Sequence, residues 1–139
     1  MREEELVKSA LEARERAYTP YSHFKVGAAL LTAEGEVIQG CNIENASFSV
    51  TNCAERTAFF NGVSQGKTDF EAIAIVGGTE DAKELGLCAP CGVCRQVMKE
   101  FCRDDFSVIL GKRSAKGEIS WEKYLLKELL PMGFGPENL

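Results

Sequence analysis

Three cysteines and a glutamate carry the most chemistry in this 139-residue chain. Cys53 and Glu55 belong to the string CAE at 53–55, and Cys91 and Cys94 to PCGVC at 90–94. Each string falls at the start of a predicted helix, and the C-x-x-C gap is metal-ligand spacing. Three thiolates around zinc leave a fourth tetrahedral position for water, the arrangement of a catalytic site, whereas a structural site closes with four protein ligands. Zinc lowers the pKa of its water to about 7. Glu55, two residues from a ligand on a first helical turn, can reach that water as a proton carrier, a task that requires it to stay off the metal.

Three thiolates and one Zn²⁺ sum to a single negative charge, which weakens the ion as a Lewis acid. Two helix N-termini at the sulfurs would offset that charge, and Arg56 could donate hydrogen bonds to a thiolate, which makes it a tuner of the metal ligands. Other readings stand beside this one. A C-x-x-C pair also serves as a redox couple or half a zinc ribbon, and Cys88 could close the site as a fourth ligand. Asn52 and Glu55 fit the N-cap and N3 positions of a capping box. Cys41 and Cys102 have no partner at metal spacing and read as small buried hydrophobes. His23, the sole histidine, cannot build a His-based zinc site or a Ser-His-Asp triad, and is expected exposed or satisfied near the first strand. No GxxxxGK[ST] or GxGxxG loop implies ATP or a dinucleotide.

The elements that position these residues follow from periodicity. Leu6, Val7, Ala10, Leu11, Ala17 and Tyr18 follow helical spacing over 3–18, and Thr19-Pro20 ends the helix. Phe24, Val26, Ala28 and Leu30 alternate, AEGE at 33–36 turns, and Val37-Ile38 resumes: an antiparallel hairpin. A helix over 53–64, closed by Gly62 and Gly66, precedes EAIAIV at 71–76, a central strand covered on both faces. A helix over 91–102 leads to the strand FSVIL at 106–110, which implies a right-handed parallel crossover. That crossover starts both ligand-bearing helices on the same side of the sheet, so Cys53 can meet Cys91 and Cys94. The eight residues GKRSAKGE are too few for a parallel return, so EISW comes back antiparallel, followed by a last helix over 121–130 and an irregular tail.

Length fits one domain over 1–139, large enough to bury a core without disulfides or metal. The formal charge of -5 disfavours a polynucleotide partner, because phosphate binding depends on clustered cations. The start MREEELVKSA lacks the apolar run of a signal peptide, and no segment approaches the ~18 apolar residues of a membrane span, so a cytoplasmic location is expected.

The strings PYSHFKVGAAL (20–30), GCNIENASFS (40–49), NCAERTAFF (52–60), CAPCGVCRQVMKEF (88–101) and ELLPMGFGPENL (128–139) resemble the small homotetrameric zinc-dependent cytidine deaminases over nearly the whole chain. The resemblance implies a three-layer α/β/α domain with a mixed five-stranded sheet flanked by helices, and one zinc per subunit on Cys53, Cys91 and Cys94. It implies hydrolytic deamination of cytidine and 2'-deoxycytidine in pyrimidine salvage, with Glu55 as the proton shuttle; the alternative is a related deaminase on the same scaffold, such as blasticidin S deaminase. Phe24 matches the aromatic packed on the pyrimidine, and Asn42 and Glu44 match the pair that hydrogen-bonds the ribose 3'-hydroxyl. Phe134 matches a tail aromatic that reaches a neighbouring subunit's site. Phe48 departs from the tyrosine that many members carry there. Taken singly, Phe24 could be strand core, Asn42 and Glu44 turn formers, and Phe134 a cover for its own core.

Overall fold

A nearly continuous apolar run over 70–79 builds the centre of the molecule, and the computed structural model, which describes residues 2–139, places that segment as the middle strand of five. The strands are β1 (Phe24–Thr32), β2 (Val37–Cys41), β3 (Phe70–Thr79), β4 (Ser107–Arg113) and β5 (Ile119–Leu125). Their order is β2-β1-β3-β4-β5, with β3 and β4 parallel and every other neighbour antiparallel. The expected mixed five-stranded sheet is present.

The period of two divides the core into two layers. Ala29, Leu31, Ala72, Ala74, Val76 and Ile109 face helix α1 (Glu3–Arg14) and its Leu6, Val7 and Ala10. Ala28, Leu30, Ile73, Ile75, Val108 and Leu110 point the other way, onto helices α2 (Ala54–Ser64) and α3 (Gly92–Phe101) through Ala58, Phe59 and Met98. Two glycines set the spacing of these layers. A Cβ on Gly27 would lie 2.1 Å from the Ala10 carbonyl oxygen, and one on Gly40 would lie 2.5 Å from both the Ala54 oxygen and the Ala58 nitrogen. Only bare backbone lets α1 and α2 seat this closely on opposite faces.

Three boundaries differ from expectation. Helix α1 stops at Arg14, four residues short of Tyr18. Tyr18 instead bridges Ile43, giving its N–H to the Asn42 carbonyl. Arg14 is withdrawn from solvent to donate to the carbonyls of Lys25, Gly78 and Thr79, which ties the end of the helix to β1 and β3. Gly62 lies inside α2 against Ile38 and Phe70, and Gly66 alone, at φ 88°, turns the chain out of the helix.

The largest difference is at 121–125, where a helix was expected and β5 continues, leaving only a four-residue α4 (Leu126–Leu129). Helix propensities differ by at most about 0.7 kcal/mol per ordinary residue, less than the pairing of seven successive residues along β4 supplies. Strand geometry also sends Ile119 and Trp121 to the α1 layer and Tyr124 to the other, and the Trp121 indole N–H donates to Glu3 at 3.1 Å. The tail after Leu130 is irregular apart from one 3-10 turn at Pro136–Asn138, as expected.

Candidate active site and metal centre

Cys53 and Cys91 are the N-cap residues of α2 and α3, each with extended backbone. Both helices lie on one face of the sheet and both start at the same end, so the two caps meet. Cys94, one turn into α3, is buried beneath them. The three sulfurs lie within 4.8 Å of one another, with Cys53 to Cys91 at 3.9 Å and Cys91 to Cys94 at 3.6 Å. A tetrahedral zinc with Zn–S bonds of about 2.3 Å separates its sulfurs by about 3.8 Å, so this donor set fits that ion without rearrangement.

Arg56 Nη2 donates to Cys53 Sγ at 3.0 Å, which puts a fixed positive charge on a ligand sulfur. Its Nε is buried without a partner among the described residues. Cys53 is held down at about 5, first by a hydrogen bond from Cys94 and then by the Arg56 guanidinium; Cys94 is held up as the donor of that bond. A divalent cation takes its cysteine ligands as thiolates, so binding here displaces the protons that remain on the trio. Cys88, left open by the sequence as a fourth ligand, lies outside the cluster. Its sulfur sits against Gly77, where a Cβ would come within 2.6 Å, and burial pushes its thiol up to about 11. The centre keeps three protein ligands.

Glu55 is only 5% exposed. Burial, followed by the neighbouring Cys53 charge, raises its carboxyl from 4.5 to about 7, with its own backbone N–H and Arg56 pulling the other way. The capping-box reading fails because Cys53 caps α2, so Glu55 falls at N2 and Asn52 lies outside the helix. Asn52 instead exchanges two backbone hydrogen bonds with Ile43, both 3.0 Å, and donates its amide to Thr57.

That exchange lays the segment carrying Asn42 and Glu44 beside the residue preceding Cys53. The Asn42 side chain spans β1, accepting from the Val26 N–H at 2.9 Å and donating to the Phe24 carbonyl at 2.8 Å. Glu44 Oε1 accepts the N–H groups of Tyr21 (2.9 Å) and Ser22 (3.1 Å), and Oε2 accepts the Ser22 hydroxyl. These bonds, led by the one from Ser22, hold the Glu44 carboxyl below its usual range. A groove of about 420 Å³ opens here, lined by Tyr21, Ser22, Glu44, Phe48 and Thr51. Phe24, at the mouth of β1, is 40% exposed and so is not strand core; Phe48, 73% exposed, meets Tyr21 edge-on with centroids 5.8 Å apart.

Phe134 is held from behind. Gln96 of α3 donates to its carbonyl at 2.8 Å, while Lys99 pairs with Asp104 (3.1 Å) and Glu137 (3.0 Å), leaving the ring 60% exposed instead of covering its own core. His23 is exposed, at φ 58°, with Nδ1 3.3 Å from Glu80, as the sequence suggested. Cys41 and Cys102 are only half-buried; Cys102 packs against the α2–α3 core, and burial raises both thiols. Sequence reasoning missed Ser22, though one signal was available: a serine whose hydroxyl accepts the N–H two residues on is a turn motif, and Phe24 N–H donates to Ser22 Oγ at 3.0 Å.

Residues 1–110 match the family model described as the cytidine and deoxycytidylate deaminase zinc-binding region. A cytidine deaminase from Halalkalibacterium halodurans is 50% identical over 134 residues, covering 96% of this chain and 95% of that protein. The crystal structure of a cytidine deaminase from Burkholderia pseudomallei superposes with a TM-score of 0.83 at 46% identity, covering 96% of this chain and all of the other. A blasticidin-S deaminase from Bacillus cereus is more distant, 33% identical over 133 residues, covering 94% of this chain and 90% of that protein.

Proposed function

Because the chain belongs to the cytidine and deoxycytidylate deaminase family, we propose that Cys53, Cys91, Cys94 and Glu55 carry its chemistry. The reaction is the zinc-dependent hydrolysis of the 4-amino group of cytidine and 2'-deoxycytidine, yielding uridine or 2'-deoxyuridine and ammonia. Zinc on the three cysteines supplies Lewis acidity, which brings the ionisation of water into the neutral range.

Glu55 moves the protons. Its carboxylate takes one from the attacking water and delivers it to ring N3, which makes C4 accept the oxygen. It then takes the proton from the new C4 hydroxyl and gives it to the amino nitrogen, so that the C–N bond breaks with ammonia leaving. A group that must both take and give is most effective with a pKa near the working pH, and burial brings Glu55 to about 7. Arg56, after the hydrogen bond from Cys94, favours the Cys53 thiolate and draws charge from its sulfur.

The observation that carries the reading is a buried carboxyl two residues from one of three converging sulfurs. Glu55→Gln should retain fold and zinc while losing about 10²–10⁴-fold or more in kcat, because it removes more than one acid–base step. Cytidine turnover followed by ultraviolet absorbance, with zinc per chain measured on the same sample, checks this; near-native kcat overturns it.

In the same reading Phe24 packs on the pyrimidine and Asn42 with Glu44 binds the 3'-hydroxyl. Asn42 has one amide hydrogen unspent and Glu44 only acceptor capacity, a pairing that suits an alcohol. Phe134, offered outward on a pinned tail, completes a neighbouring subunit's site in a homotetramer. Residues 1–139 act as a single domain in cytoplasmic pyrimidine salvage. The acidic charge supports a free nucleoside over a polynucleotide, and among the described residues no helix is long and apolar enough to cross a membrane.

A further inference from the structure

The Ser22 side chain touches both halves of the substrate-facing surface. Its hydroxyl donates to Glu44 Oε2 and accepts the backbone N–H of Phe24 at 3.0 Å, while its own N–H donates to Glu44 Oε1. Asn42 grips the carbonyl of the same Phe24 at 2.8 Å. The residue assigned to the base and the two assigned to the sugar are thus bolted to one another.

The bonds also fix what the pair can recognise. A carboxylate offers about four lone-pair sites. On Glu44 the N–H groups of Tyr21 and Ser22 and the Ser22 hydroxyl use three, and the fourth remains on Oε2. On Asn42 the oxygen accepts from the Val26 N–H and is turned onto β1, while one amide hydrogen goes to Phe24, so one N–H remains to donate. One acceptor beside one donor is the complement of a single free alcohol, which gives a proton and takes one. An ester of that alcohol has no proton to give, and a phosphate ester brings negative charge against Glu44.

We propose that Ser22 is a positioning residue for sugar recognition, holding Glu44 as a one-acceptor partner for the 3'-hydroxyl and locking its distance from Phe24. This rests on the assignment of Glu44 to the sugar. Glu44 is only half-buried, and without the hydroxyl its Oε2 is free to turn to solvent, so binding must then restore an order that Ser22 otherwise supplies in advance.

Steady-state kinetics of Ser22→Ala, Ser22→Thr and Glu44→Gln on cytidine and 3'-deoxycytidine test the idea. For Ser22→Ala, kcat/KM on cytidine should fall about tenfold through KM, in line with the loss of a hydrogen bond to a charged group. On 3'-deoxycytidine, where no hydroxyl reaches Glu44, the same change should cost less than about twofold. Ser22→Thr keeps the hydroxyl and should recover most of the cytidine KM. Equal losses on both substrates, or none, overturn the role of Ser22. If Glu44→Gln also leaves the cytidine KM unchanged, the sugar assignment itself falls; if it raises that KM while Ser22→Ala does not, only the positioning role falls.

Discussion

Glu55 trades stability for proton transfer, and pH exposes the trade. Its carboxyl sits at about 7 in the folded chain against 4.5 when free. The folded state therefore keeps its proton where the unfolded state has lost it, and stability falls as pH rises from 4.5 through 7. At 1.36 kcal/mol per pKa unit the fall amounts to about 3 kcal/mol by pH 8. With metal chelated, Glu55→Gln should be more stable than the parent at pH 8 and equal to it near pH 4.5; denaturant titrations at the two values check this, and parallel curves would refute it. The pairing of Cys53, Cys91 and Cys94 and the nearness of Glu55 were legible from two short strings. The N-cap was not: Asn52 is diverted by Ile43, nine residues upstream and in register only once the loop folds back. Ser22 escaped for a similar reason, since its partner Glu44 lies 22 residues away.

Elements position those residues, and Gly40 shows how. A methyl group there collides with the backbone of the first turns of α2, which cannot swing aside as a side chain can. Gly40→Ala should cost about 1–3 kcal/mol and, by pushing the Cys53 end of α2 outward, weaken zinc retention against a competing chelator. Gly111→Ala is the control: its Cβ would crowd the tips of Val76 and Val7, so it should destabilise without loosening zinc. Hairpin, central strand and both ligand-bearing helices were readable because their apolar periods agree with their final environment. The segment 121–125 was not, because its composition favours helix and only an edge vacancy beside β4 makes it a strand. The end of α1 is likewise decided by partners remote in sequence, Asn42 for Tyr18 and the strand carbonyls for Arg14.

At the scale of the whole molecule the metal centre is a clasp. Cys53 follows the β1–β2 hairpin and Cys91 lies in the β3–β4 crossover, so a bound ion adds a link between two segments already joined through the β1–β3 pairing of the sheet. Anything bound by the folded state alone stabilises it, by about 2.7 kcal/mol at a hundredfold excess over Kd. Chelation should lower the unfolding midpoint by about 5–10 °C at this chain length, and Cys91→Ala should melt at the chelated value with or without added zinc; calorimetry measures both. The layered architecture was legible because strands and helices alternate in the order a mixed sheet needs. The exposed Phe24, Phe48 and Phe134 were not foreseeable from hydropathy, which marks such residues for the interior.

The division of labour between the two faces of the sheet has a practical side. Helix α1 covers one face and carries none of the reactive groups, and Lys8 on it is 59% exposed. Amine coupling to a solid support through that lysine would turn the cysteine-bearing layer outward to the passing solution, whereas attachment at Lys99 would unpick the salt links that hold the tail.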